Sequence, residues 1–173
     1  YDSYRHCGRR CGGSNKRKFR LMIDESNPAH PAHSNYLIST KGYRAERIYY
    51  PSTPLFESTI SELLEHLDSS YSERCGFITS DDQEVIRTEN VHEDKHNNFY
   101  MGEDSTEEAI EYIYEKTNRT ILGIWHTHPN GYAWPSPRDI VGWPKAELKW
   151  RYFLVSRGVV TEWELVNDHP SRR

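Results

Sequence analysis

Cysteine, methionine and long apolar runs are all scarce in this chain of 173 residues, which carries three Cys and two Met. Three thiols, Cys7, Cys11 and Cys75, cannot form the even framework that staples small secreted domains. Hydrophobic residues make up 35% and mean hydropathy is −0.90. No segment therefore supplies the ~20 apolar residues of a membrane span. No apolar core of a secretory leader is seen either, so the expected compartment is the cytoplasm. The H-x-E and P-C-x-x-C pair of a zinc deaminase is also missing. What remains is a polar chain whose length fits one domain.

Charge is unevenly spread. Residues 1–20 hold seven Lys or Arg and one acid, for +6, which leaves 15 basic and 25 acidic residues, or −10, in the rest. Residues 1–45 read as a basic, flexible extension with an extended linker at Pro28–His33, residues 46–167 as the folded domain, and residues 168–173 as a tail. The extension could contact nucleic acid, although a solvated end is the plainer explanation. His6, Cys7 and Cys11 form a weak metal pattern. Between Glu57 and Glu115 there are 17 acids against three basic residues, a balance that would steer a positively charged partner.

The densest chemistry lies at His126-Thr127-His128-Pro129, followed by Ser136-Pro137-Arg138-Asp139. Ile121–Trp125 is an apolar run of strand type, and His126 and His128 extend it at i and i+2, on one face. Pro129, Asn130-Gly131 and Pro135 mark a loop. Ser136 then reads as a helix N-cap with Pro137 at the first position, a turn that returns Asp139 to the strand end. Two imidazoles and one carboxylate leave the fourth position of a tetrahedral zinc open, as a catalytic site requires. Such a site also needs a carboxylate outside the metal shell to move protons, and Glu73 in Glu73-Arg74-Cys75-Gly76 is the best placed.

Together, E-x-C-G opening a strand and H-T-H-P with S-x-x-D resemble the JAMM (JAB/MPN) zinc metalloproteases over roughly Ile48 to Val166. The resemblance implies a cytidine-deaminase-like α/β sandwich, with a mixed sheet flanked by helices. It implies one catalytic Zn2+ held by His126, His128 and Asp139, Glu73 as general base and acid, and Ser136 as an oxyanion donor. The implied reaction is hydrolysis of an amide at the C-terminal tail of a ubiquitin-like or sulfur-carrier protein. A different class, a phage tail-assembly or other protein-binding module that keeps the zinc fold, is also represented among compact relatives. Such a tail would lie beside the zinc strand and pair as an added strand. Trp125, Tyr132 and Trp134 are candidates for its entrance, with core packing the competing role for Trp125. Cys75 reads as a packing residue, since a nucleophile would need its own paired His.

The order of elements agrees. Ile48–Tyr50 reads as a strand, and Thr53-Pro54 starts a helix striped by Ile60, Leu63, Leu64 and Leu67. Strands are expected at Gly76–Thr79, Val85–Thr88 and Asn98–Met101. Ser105 and Glu108 look like the capping box of a second helix whose Ile110, Ile113, Tyr114 and Thr117 share a face. Tyr152–Ser156 and Val159–Val166 read as a hairpin. Gly142-Trp143-Pro144 should cut the Asp139 helix short. A rival zinc pattern, His92-Glu93-Asp94-Lys95-His96, matches H-E-x-x-H, but its flanks lack the apolar stripe of a buried helix and it reads as a polar loop.

Overall fold

A computed structural model describes residues 42–143 and 149–167. The basic extension up to residue 41, with His6, Cys7, Cys11 and the Pro28–His33 linker, lies outside the described residues, as do Pro144 and the C-terminal tail. Six strands form one sheet: β1 (Tyr43–Ile48), β2 (Cys75–Thr79), β3 (Val85–Thr88), β4 (Ile121–Thr127), β5 (Arg151–Ser156) and β6 (Val159–Asn167). Their spatial order is β1-β6-β5-β4-β2-β3. The central pair β4–β5 runs parallel and every other neighbouring pair is antiparallel. The helices are α1 (Glu57–Asp68), α2 (Glu103–Glu111), which runs on into a π turn at Tyr112–Lys116, and α3 (Pro137–Gly142). Parallel neighbours cannot be joined by a tight turn, and α3 lies on the crossover between them.

Strand alternation sorts the core into two layers. On one face Ile78, Trp125, Phe153 and Val155 meet Leu63, with Leu64 and Leu67 of α1 packed against them. On the other face Cys75, Phe77, Ile124 and Tyr152 meet Ala109 of α2, Ile113 of the π turn, and Ile140 of α3. The expected α/β sandwich, a mixed sheet with helices on both faces, is therefore what the chain builds. Leu63 is 0% exposed, and truncating such a residue to Ala costs ~2–5 kcal/mol. Gly76 is required by close approach, because a Cβ there would run into the carbonyl oxygen of Ile86 on β3. Among the described residues no helix is long and apolar enough to cross a membrane.

Several boundaries differ from expectation for identifiable reasons. The first strand is Tyr43–Ile48, earlier than Ile48–Tyr50, because it follows the register of β6. Helix α1 starts at Glu57, since the Phe56 amide donates to Asp82 Oδ2 at 2.6 Å, a carboxylate 26 residues away that does the work of a local cap. Ser105 caps nothing. Gly102 precedes α2, and the Ser105 hydroxyl instead accepts from the Glu89 amide at 2.7 Å. Asn98–Met101 forms no strand, only an isolated bridge between Asn90 and Met101. The Asp139 helix is short, six residues, and its C-cap Trp143 is extended at φ −63° and ψ 134°, as the residue before Pro144 prefers.

Candidate metal centre

The site lies at the C-terminal end of β4, where each histidine is set by the sheet. His126 faces Cys75 on β2 and Leu154 on β5 in register. It shares the face of Ile124, and its ring stacks on Phe99 with centroids 4.8 Å apart. His128 lies one residue beyond the strand, but its amide still donates to Val155 O at 2.9 Å, so the i, i+2 relation survives. Helix α3 supplies the carboxylate. Asp139 N donates to Ser136 Oγ at 3.1 Å and Ser136 N donates to Asp139 Oδ2 at 2.8 Å, the two halves of a capping box with Pro137 at its first position. The cap that starts the helix thus also aims Asp139.

Three atoms converge. His126 Nε2 and His128 Nε2 are 3.1 Å apart, and Asp139 Oδ2 is 3.0 Å from the first and 3.2 Å from the second. All three residues are buried. Ligands at ~2.0–2.1 Å from a tetrahedral zinc stand roughly 3.3 Å from one another, so the triangle has the size a cation needs. The tautomer of His128 supplies a second fit. A carbonyl can only accept, so Nδ1 of His128 donates to Tyr132 O at 3.1 Å. Nε2 is then the ring atom left for the site, and a cation held between it and the Asp139 oxygen would bridge the pair. Zinc fits this N, N, O set.

Glu73 arrives from the residues that lead into β2, two before Cys75, which pairs with His126. Thr127 N donates to Arg74 O and Arg74 N to Thr127 Oγ1, both at 2.9 Å, which locks the residue after Glu73 to the residue between the histidines. The Glu73 carboxylate and the two histidine nitrogens lie within 4.8 Å of one another. Two carboxylates can therefore reach the same histidines. Asp139 is the closer, at 3.0 and 3.2 Å, and Glu73 also lies near enough to the two histidines to share a metal ion with them.

The electrostatics divide these carboxylates. Burial, then the negative charges of Asp139 and Asp94, push the Glu73 carboxyl well above the usual range. Burial opposes ionisation of Asp139 too, but the two imidazoles outweigh it and hold Asp139 far below its ordinary value. Burial keeps the His126 ring below its usual value, with Asp139 opposing. One carboxyl thus favours holding a proton while its neighbour stays charged, the division of labour that acid and base chemistry needs. Ser136 Oγ accepts from Asp139 N, which leaves its hydroxyl proton available to donate.

Other sequence candidates fall elsewhere. Trp125 is 0% exposed, donates from Nε1 to Phe77 O at 3.2 Å, and stacks on His66 in the α1 layer, so it is core and not an entrance. Alternation sends it away from His126. Tyr132 contributes its carbonyl to His128, and Trp134 is exposed. Strand β4 has no free edge, because β2 and β5 flank it, so a tail cannot pair with it as an added strand. Cys75 is buried and its thiol is pushed up to about 12 by burial, which suits packing. In the rival pattern, His92–His96 forms bends and turns and no helix. His92 Nδ1 accepts from Asp94 N at 2.9 Å and His96 Nδ1 bonds Tyr71 O at 2.6 Å, so both rings serve the loop. Sequence reasoning missed Asn90 and Phe99, which touch the site only through the fold.

The model of prokaryotic homologs of the JAB domain matches residues 56–166, and the chain belongs to that family. Among solved structures, the solution structure of protein DSY2949 from Desulfitobacterium hafniense is similar at 23% identity and a TM-score of 0.47, over 59% of this chain and 73% of that one. No curated protein matches the chain.

Proposed function

We propose that the protein is a zinc-dependent peptidase or isopeptidase of the JAMM type, hydrolysing an amide at the C-terminal tail of a ubiquitin-like or sulfur-carrier protein. The observation that carries the reading is the convergence of His126 Nε2, His128 Nε2 and Asp139 Oδ2 at 3.0–3.2 Å beside a buried glutamate. Bound by these three residues, zinc would supply Lewis acidity, acidifying water and polarising a carbonyl. Glu73 would take the proton from the attacking water and hand it to the departing nitrogen, a role that suits a carboxyl pushed well above its usual range by burial. Ser136 would donate its hydroxyl proton to the developing oxyanion. The excess of acid between Glu57 and Glu115 favours a substrate or partner with a positive face.

The test couples metal analysis with hydrolysis of a panel of ubiquitin-like and sulfur-carrier fusions. Wild type should bind one zinc and cut at least one fusion, Glu73→Gln should bind zinc without cutting, and His126→Ala should lose both. Zinc binding with no cleavage across the panel would instead support a protein-binding module that keeps the metal. Loss of zinc in His92→Ala would overturn the site assignment.

A further inference from the structure

The segment that mimics a zinc motif, Asn90–Tyr100, reaches the proposed site from three directions. Lys95 O accepts from the Glu73 amide at 2.6 Å. Phe99 stacks on the ring of His126. Asn98 Oδ1 accepts from Arg138 Nη1 at 3.0 Å, next to Asp139 on α3. The segment is a strap across the base, a ligand ring and the helix that carries the third ligand. Its middle, Glu93 to Asn97, is exposed, so its shape is not dictated by burial and must be held by hydrogen bonds.

One side chain supplies four of the bonds that hold the strap. Asn90 Nδ2 donates to Glu73 O at 2.8 Å and to Asn98 O at 3.0 Å, while its Oδ1 accepts from His92 N and Tyr100 N, each at 3.0 Å. Both donors and both lone pairs of the carboxamide are used. The orientation is fixed by chemistry, because the reversed amide would set its oxygen against two carbonyls and its NH2 against two N–H groups. Glu73 is thereby gripped at both ends of its main chain, at N by Lys95 O and at O by Asn90. Its carboxylate accepts no hydrogen bond from the described residues, so its place is set by packing and by where the main chain is held.

We propose that Asn90 is a positioning residue for Glu73: its carboxamide closes the strap and ties it to the Glu73 carbonyl, so that the base is held at working distance without any bond to its carboxylate. This rests on the hydrolase reading above for its effect on turnover, but not for the grip itself. Asn90→Asp keeps the shape and removes both donors, setting an oxygen against Glu73 O and Asn98 O. Asn90→Ser is neutral and too short to span the four partners.

The experiment measures both variants in the full chain, on the fusion that wild type cuts, with zinc content and amide hydrogen exchange by NMR. Both variants should keep one zinc and an unchanged KM, and lose ~100-fold in kcat, the scale of a misplacement of about 1 Å. The Glu73 and Tyr100 amides should exchange at least ~10-fold faster while Trp125 in β4 stays protected, a local opening and not global unfolding. Unchanged Glu73 exchange in the two variants overturns the grip. Faster exchange with unchanged kcat overturns the positioning role. If wild type cuts no fusion, the hydrolase reading has failed, and Glu73 exchange in Asn90→Asp and Asn90→Ser still decides whether Asn90 holds Glu73.

Discussion

Two stretches of this chain spell a metal motif, and the fold treats them in opposite ways. His126, His128 and Asp139 end with their ligand atoms 3.0–3.2 Å apart and buried. His92 and His96 end in a surface loop, each ring bound to backbone. The difference lies in what flanks them. Ile121–Trp125 is apolar enough to become a central strand, and a strand forces residues i and i+2 to one face. His92–His96 has no apolar stripe, so no helix forms to bring i and i+4 together. A spacing is chemistry only when the element that gives it meaning is paid for by burial.

That contrast is broken most directly by removing a ligand. His126→Ala and Asp139→Asn should each abolish stoichiometric zinc, read by metal analysis after dialysis, and reduce hydrolysis to background. Next in size is Glu73→Gln, which should keep zinc and lose ~10²–10⁴-fold in kcat, the span expected for a general acid and base. The same variant carries a pH signature in metal-free protein. The folded Glu73 pKa is raised above the unfolded value near 4.5, so its contribution is fully present below pH 4.5 and is lost as pH rises through the folded value. Metal-free Glu73→Gln should therefore melt higher than metal-free wild type at neutral pH, with the gap closing toward pH 4. An equal Tm at both pH values would sink the burial argument.

Ser136 sharpens the comparison at smaller scale, because it caps the helix and is proposed to serve the site. Ser136→Ala should lose ~1 kcal/mol of stability from the cap and roughly 10²-fold in kcat from the missing donor. Ser136→Thr should restore the stability. The smallest effect belongs to the rival motif: His92→Ala should retain full zinc and turnover within about threefold, losing one surface hydrogen bond worth ~1 kcal/mol or less. Cys75 should also resist alkylation in the native protein at pH 8, since its thiol is buried and pushed up to about 12.

Much of the fold was legible because its signals are local. Leu63, Leu64 and Leu67 of the expected stripe, the Ser136-Pro137 cap, the brevity of α3 and the final hairpin all follow from patterns within a few residues, and all appear, while Ile60 is only half-buried. Errors arose where a distant group replaced a local one. Asp82 caps α1 from 26 residues away. Ser105 looked like a cap, yet the helix began earlier and its hydroxyl went to Glu89. Of the two roles open to Trp125, entrance or core, the fold selects core, because strand parity turns the residue before His126 to the opposite face. Asn90 has no local signature at all, since its bond to Glu73 spans 17 residues.

The sequence by itself determined the family, the sheet-and-helix order and the residue types at the candidate metal centre, because strand parity, capping and spacing act over one turn or one strand. Tertiary structure alone decided that Asp139 is closer to the histidines than Glu73, that β4 has no free edge, and that the second motif is a strap. Those are distances between segments far apart in the chain. They depend on which strands become neighbours, and no local pattern encodes that choice.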